Sequence, residues 1–396
     1  MTEIGTYVET LVSNELSANA ADLCPVGALT HMPYTFTARP WELKTTYSVD
    51  VTDGLGQNIE INNRGSEVMR ILPRVNEEVN EEWVSDKARQ AFDGLKKQRL
   101  SFPMMKDENG DYKELKWNEA LAEVRSAIDK VNGDEIVGLI GPHADCESIV
   151  AFRDLLHRLG SDRIEANTDL PKVSANLRSE YLTNSRITGV EEADYILLVG
   201  TNLRSESPVL NTRIRRAVED NGVEVNVIGF PSDLNYDYDH IGTSPTTLAE
   251  VANGSHPASK KFAEAERPLV IVGTNALSRV DGEAIMNNLK QIAKGTPLVD
   301  SANGWNGLNV LHDTASRVGA LDIGIPAYRG SETTEGAKFV YILGSDDFRP
   351  EDIPEDAFVV YQGSHGDEGA YFADIILPGA AYTEKLGTYV NTEGRV

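Results

Sequence analysis

Two cysteines, seven histidines and a few paired carboxylates are the residues of this 396-residue chain whose types and spacing could do chemistry. Cys24 sits in ADLCPVGALT, and a proline directly after a cysteine is how iron–sulfur cysteine runs end. A thiolate held in such a turn can be the last ligand of a tetranuclear cluster, which needs three more thiolates, while the chain has only Cys146 besides. On the residues alone, a structural cysteine accounts for Cys24 equally well. Cys146 follows an apolar run with His143 as its basic neighbour, and no GxSxG elbow occurs, so a semi-buried thiol is the better account of it. The histidines, at 31, 143, 157, 240, 256, 312 and 365, lack the short spacing of zinc sites. Asp346–Asp347 and Asp367–Glu368 could hold Mg²⁺, although solvated loop carboxylates are the commoner explanation. His365 and Asp367 lie close together but have no partner nucleophile.

Phosphate chemistry would fall to the loops that follow three apolar runs. YILLVGTNLRSES from Tyr195, PLVIVGTNALSRVDG from Pro268 and FVYILGSDDFRPE from Phe339 each read as a covered strand stopped by glycine and followed by a polar loop. Such units build doubly wound sheets, which hold ligands at the carboxyl ends of their strands. None of the loops is GxGxxG or GxxxxGK[ST]. Backbone N–H groups at a helix start could still receive a phosphate, but a plain strand-end turn is the commoner reading.

The elements that would position these loops follow from periodicity. Residues 3–18 form an apolar stripe through Ile4, Tyr7, Val8, Leu11, Val12 and Leu16 at helical spacing. Residues 31–103 read as a small, mostly β domain, with a hairpin at Asn63-Arg64-Gly65 and a charged, helix-compatible stretch over 76–99. Trp117 to Val131 is a helix with Trp117, Ala120, Leu121 and Val124 inward, EIVGLIG is a strand, and SIVAFRDLLHRLG is a helix stopped by Gly160. VEVNVIG from Val223 adds a strand, residues 232–248 are a turn-rich connection, and two short strands end the chain. The fold class is α/β: a doubly wound region preceded by a small β domain.

Composition bounds the rest. A net charge of −25 argues against nucleic acid or an anionic membrane as a direct partner. Two cysteines make no disulfide framework, and no apolar run is long enough to cross a bilayer.

Several long blocks carry a resemblance. FTARPWELKTTYSVDV, GSEVMRILPRVNEEVNEEWVSDKAR, GVEEADYILLVGTN, YDHIG, YQGSHGD and DIILPGAAYTEKLGTYVNTEG stand in collinear order with those of the large iron–sulfur (75 kDa) subunit family of respiratory complex I, the NADH:quinone oxidoreductases. The chain resembles the central and C-terminal part of that family, whose main domain is molybdopterin-oxidoreductase-like. The resemblance implies a remnant of a tetranuclear-cluster domain over 1–30, a small cluster-less domain over 31–103 and a molybdopterin-type α/β domain over 104–396. It implies that Cys24 is the fourth ligand of a 4Fe–4S cluster whose other ligands lie outside this chain, with no catalytic residue and no molybdopterin. It implies the peripheral-arm flavoprotein and iron–sulfur subunits as partners, with a separate cysteine-rich half among them. The expected place is the matrix side of the mitochondrial inner membrane or the cytoplasmic face of a bacterial one, touching the membrane only through the complex. The rival reading is an active molybdopterin enzyme of formate dehydrogenase type; a nucleotide-binding module is the third.

Overall fold

The computed structural model of the chain describes residues 12–166, 173–327 and 329–396. The helical stripe expected over 3–18 falls mostly outside them; residues 12–14 are irregular, residues 15–18 are turn, and helix begins only at Asn19–Leu23.

A three-stranded antiparallel sheet follows, from β1 (Lys44–Val49), β2 (Asn58–Arg64) and β3 (Glu67–Pro73) in that order. Ile59, Ile61 and Ile71 alternate onto its inner face against Val84, Ala88 and Phe92, the packing that the 76–99 stretch suggested. Only Asp86–Gln90 of that stretch is α-helix, however. The hairpin turn lies at Gly65, whose positive φ of 63° suits glycine.

The α/β region is built on two mostly parallel sheets, as the doubly wound α/β class implied. The first strands, β4 (Met104–Lys106) and β5 (Tyr112–Glu114), form a hairpin on the edge of a seven-stranded sheet whose next members are β6 (Ile136–Ile140) and β7 (Ile164–Ala166). The chain then leaves to build a second sheet from β8 (Tyr195–Val199), β9 (Glu224–Ile228), β10 (Asp239–Gly242) and β11 (Pro268–Gly273). A small pair, β12 (Val299–Asp300) with β13 (Trp305–Asn306), precedes β14 (Leu308–Leu311), which completes the order β10-β9-β8-β11-β14, all parallel. It returns to the first sheet as β15 (Phe339–Leu343), β16 (Phe358–Gly363) and β17 (Ile375–Pro378), giving β5-β4-β17-β16-β15-β6-β7.

Each sheet is covered on both faces, which is why its central strands read as unbroken apolar runs. In β8, Ile196 and Leu198 face the helix Pro208–Asn221 through Val209, Leu210 and Ile214. Its alternate residues Tyr195, Leu197 and Val199 face Phe262, Ile285 and Leu289 on the other side. Each such burial is worth roughly 1.5–3 kcal/mol, so the strand is stable only with both helical layers in place. The helix Cys146–Arg158 is capped by Asp145 and leads to Gly160 at φ 84°. Trp117 and Leu121 depart from expectation: Ala120 and Val124 of their helix are buried in the core and Ala127 and Ile128 pack against it, while both larger side chains stay exposed.

Candidate functional site

Cys24 closes the short helix Asn19–Leu23 in an extended conformation, and the exposed turn Pro25–Thr30 wraps its sulfur. The Leu29 N–H donates to Sγ at 3.5 Å. With the amides of Val26, Ala28 and Gly27, this bond lowers the thiol's pKa below the ordinary cysteine value. A ring of backbone donors around one half-exposed sulfur is the surrounding an iron–sulfur ligand takes, since amide bonds to sulfur stabilise its anionic form. Nearby, Asp22 pairs with the buried Arg89, and the Nε2 atom of His31 has no partner among the described residues. No group of three or more His, Cys, Asp or Glu side chains among the described residues could hold a metal ion by itself.

The strand-end loops were the other candidates. In the five-stranded sheet the order reverses between β8 and β11, and in the seven-stranded sheet between β6 and β15, so these are the crevices where a ligand would sit. Protein atoms fill both. At the first, a Cβ on Gly200 would lie 2.6 Å from the Cβ of Ala276, so the helix Thr274–Leu277 is packed against the loop. The donors of GTNLRSES serve Glu206: the Asn202 N–H donates to Oε1 at 3.1 Å and the Thr201 hydroxyl bonds Oε2. The carboxylate stands where a phosphate would. At the second, a Cβ on Gly141 would meet the Gly344 carbonyl oxygen at 1.6 Å. The N-terminus of the helix Cys146–Arg158 is covered by the segment from Lys385. Lys385 bonds the carboxylate of Asp145, the Cys146 N–H donates to the Thr388 carbonyl at 2.9 Å, and Thr388 donates back to Glu147. Burial opposes ionisation of Asp145, but the Lys385 ammonium and the Ser148 bonds hold its pKa low. Cys146 itself is half-buried, and burial with Glu147 and Asp145 beside it raises its thiol pKa, the environment of an inert cysteine.

The same C-terminal segment ties the small sheet to the α/β region. Asn391 Nδ2 donates to the Leu55 carbonyl at 3.0 Å, the Thr392 N–H to the Gly54 carbonyl at 2.7 Å, and the Thr183 N–H to the Thr392 carbonyl at 2.7 Å. Sequence reasoning missed two residues beside this joint. Asp50 and Asp53 are fully buried together, with Gln57 Nε2 donating to Asp53 at 2.5 Å and the Thr52 N–H to Asp50 at 3.0 Å. Burial, then repulsion by Asp50, pushes the Asp53 pKa up to about 7; burial raises that of Asp50 too. The two acidic pairs come close to each other, with Asp367 and Asp347 adding to the burial that raises the Asp346 pKa, but no metal-holding group results among the described residues. Asp346 accepts the Gly369 N–H, Asp367 caps the helix Glu368–Phe372, and His365 meets the Gly94 carbonyl at 3.2 Å.

With this geometry in view, comparison with known proteins is decisive. The molybdopterin oxidoreductase family model matches residues 99–396, three quarters of the chain. The chain belongs to the molybdopterin oxidoreductase family. Ahead of that domain, the 4Fe-4S domain of NADH-ubiquinone oxidoreductase NDSU1/NuoG-like proteins matches residues 43–93, and the ferredoxin-like domain of NADH-quinone oxidoreductase subunit 3 matches residues 1–30. A curated relative from Solanum tuberosum, NADH dehydrogenase (ubiquinone) iron-sulfur protein 1, mitochondrial, is 48% identical over 99% of this chain and 53% of its own length. The NADH-ubiquinone oxidoreductase 75 kDa subunit of Reclinomonas americana is 47% identical over 100% of this chain and 59% of its own length. The mitochondrial 78 kDa subunit of Neurospora crassa is also 47% identical, over 100% and 53%. This member of the family thus spans little more than half the length of the curated relatives it matches, and the expected resemblance to the 75 kDa subunit is borne out. The fold is shared with the acetylene hydratase of Pelobacter acetylenicus, with a TM-score of 0.52 and 11% identity over 89% of this chain and 67% of that one.

The residues present can be tested against the cofactors these families imply. Residues 43–93 match an iron–sulfur domain yet contain no cysteine and no histidine, so a cluster has no donor there. Residues 1–30 retain one donor, Cys24, in an amide ring that fits a cluster sulfur. A pterin phosphate at either crevice would have to displace Glu206 or the segment from Lys385, and the fit there is poor.

Proposed function

We propose that this chain serves in the NADH-oxidising peripheral arm of a proton-pumping NADH:quinone oxidoreductase, complex I. It acts as a structural and electron-transfer part without a substrate site of its own. The observation that carries this reading is the 47–48% identity, across 99–100% of the chain, to proteins named as an NADH dehydrogenase (ubiquinone) iron-sulfur protein and as 75 and 78 kDa subunits of NADH-ubiquinone oxidoreductase. In this reading residues 1–30 are the remnant of a tetranuclear-cluster domain, 31–103 a cluster-less small domain and 104–396 the molybdopterin-type scaffold. Cys24 is the fourth ligand of a 4Fe–4S cluster whose other three thiolates come from outside the chain. When bound, such a cluster passes single electrons; the chain's own part is to offer the Cys24 sulfur in a turn whose Leu29 and Val26 amides favour its anionic form.

The partners are then the flavoprotein and iron–sulfur subunits of the arm, together with a cysteine-rich polypeptide. Two of the three relatives described above are named mitochondrial, and no helix among the described residues is long and apolar enough to cross a membrane. The proposed place is therefore the matrix side of the mitochondrial inner membrane, reached through the complex.

The filled crevices favour a scaffold over an active molybdopterin enzyme. The test is to purify the tagged chain from detergent-extracted membranes and to measure NADH oxidation, iron, molybdenum and tungsten. The proposal expects a large NADH-oxidising complex containing iron and neither heavier metal. Stoichiometric molybdenum or tungsten with a pterin contradicts it.

A further inference from the structure

β1 is an edge of the three-stranded sheet, and its sequence, KTTYSV, carries one lysine as its only guard against further pairing. No proline or bulge interrupts it, it pairs with β2 in unbroken register, and its first four residues are exposed. In an antiparallel pair, alternate residues turn both backbone groups toward the partner, and the residues between them turn both away. The Asp50 N–H donates to the Gln57 carbonyl at 2.8 Å just past the strand end, which fixes the phase. Ser48, Thr46 and Lys44 therefore bond β2, and Thr45, Tyr47 and Val49 face outward. The N–H and C=O groups of these three residues have no partner among the described residues. They form an open ladder.

Beside this edge lies an open groove of about 310 Å³, between β1 and the segment from Tyr382 to Tyr389. Tyr47, Tyr382, Tyr389 and Leu386 supply aromatic and apolar walls, Arg74 and Lys385 supply charge, and no carboxylate lines it. Lys385 is already bonded to Asp145. Arg74 is not spent in this way. Its guanidinium lies over the Tyr47 ring, 5.2 Å from the centroid, and Nη2 donates to the Asn58 amide oxygen. Its buried Nε has no partner, and it makes no ion pair among the described residues. In a chain of net charge −25, an unpaired arginine in a groove without carboxylates selects a negative group. Tyr47 is 66% exposed and Leu386 100%, so apolar surface stands open beside that charge.

We propose that an extended segment of another polypeptide adds to the sheet alongside β1, setting an Asp or Glu side chain on Arg74 and an apolar one on Tyr47 and Leu386. Main-chain bonds to Thr45, Tyr47 and Val49 give such a strand its hold, and the groove selects its side chains. The open ladder specifies an extended backbone, and Arg74 specifies its charge. The proposal concerns the sheet edge alone and does not depend on Cys24 or on the reaction the chain serves.

The test isolates the assembly through the tagged full-length chain, produces the same chain alone, and compares amide hydrogen exchange over Lys44–Val49. The assembly is expected to slow the outward amides at least about tenfold, while β2, bonded on both sides in either state, changes little. Two variants at one exposed position separate strand addition from simple cover. Thr45→Ala keeps the outward N–H and keeps the protection. Thr45→Pro removes an N–H that β2 does not use, a place where an edge strand tolerates proline, and loses the protection. Arg74→Glu leaves the ladder whole but repels an acid, and also returns the edge to the exchange rate of the lone chain. Equal exchange in the assembly and the lone chain overturns the proposal, as does a tagged chain that purifies without a partner. Protection that survives Thr45→Pro overturns strand addition, and protection that survives Arg74→Glu overturns the acidic occupant. A lone chain that is dimeric by light scattering and already protected shows a second copy on the edge, which overturns a foreign strand. NADH oxidation by the assembly is read separately: its absence counts against the proposed function and leaves the exchange result to decide the docking edge.

Discussion

The Asn202 N–H donates to the Glu206 carboxylate at 3.1 Å, at the point of strand-order reversal where open α/β sheets hold their ligands. A loop that turns these two donors onto its own carboxylate withholds them from a ligand. Removing that carboxylate should therefore do two things. Glu206→Ala leaves the Asn202 N–H and the Thr201 hydroxyl without their partner and should cost about 1–3 kcal/mol in urea unfolding. The same variant, unlike the wild type, should gain thermal stability from millimolar inorganic phosphate. Stabilisation of the wild type by phosphate would show that the loop is open after all.

At the other crevice the constraint is steric. Gly141→Ala places a Cβ 1.6 Å from the Gly344 carbonyl oxygen, so two paired strand ends must separate, at a cost of about 3 kcal/mol. Gly94→Ala, where a Cβ meets nothing within 4 Å, should change the denaturation midpoint little. Equal midpoints for the two variants would contradict the packing described.

The Asp50–Asp53 pair predicts an unusual pH dependence. The folded-state pKa of Asp53 stands at about 7, above the value near 3.9 of an unfolded aspartate, so the folded chain binds more protons between these values. The pair's contribution is full below the unfolded pKa and is lost as pH rises toward and through about 7. Asp50→Asn removes the like charge, so stability should fall less steeply between pH 5 and pH 8 than in the wild type, by roughly 1–3 kcal/mol across that range. Urea titrations at several pH values decide it; parallel curves for the two proteins would exclude the coupling.

Asn391 joins the segments at the joint between the sheets. Its side chain donates to the Leu55 carbonyl and accepts the Arg395 N–H at 2.8 Å. Asn391→Ala leaves both groups unpaired and should cost about 2–4 kcal/mol, read as a lower midpoint. A midpoint within error of the wild type would mean that the segment is not a fastener.

What the sequence made legible divides by length and burial. β8, β11 and β15 were readable because each is an apolar run covered on both faces. β10 and β14 were not: four residues each, one lying in a turn-rich stretch, they become strands only by pairing with β9 and β11. Trp117 and Leu121 fit a helical stripe, but periodicity cannot tell a stripe that meets a core from one that stays exposed. Glu206 was one carboxylate among the polar residues of a loop, and its role depends on folding back to Asn202. Asp50 and Asp53 were hidden inside an alternating stretch whose strand ends at Val49. Cys24 was the reverse case: its proline neighbour flagged it, and the turn that follows supplies the amides.

The account turns on Cys24. The direct measurement is the low-temperature EPR spectrum of the NADH-reduced complex isolated through this chain, wild type against Cys24→Ala. The account predicts that one tetranuclear cluster signal disappears while the complex remains assembled. A spectrum unchanged in every signal would contradict it.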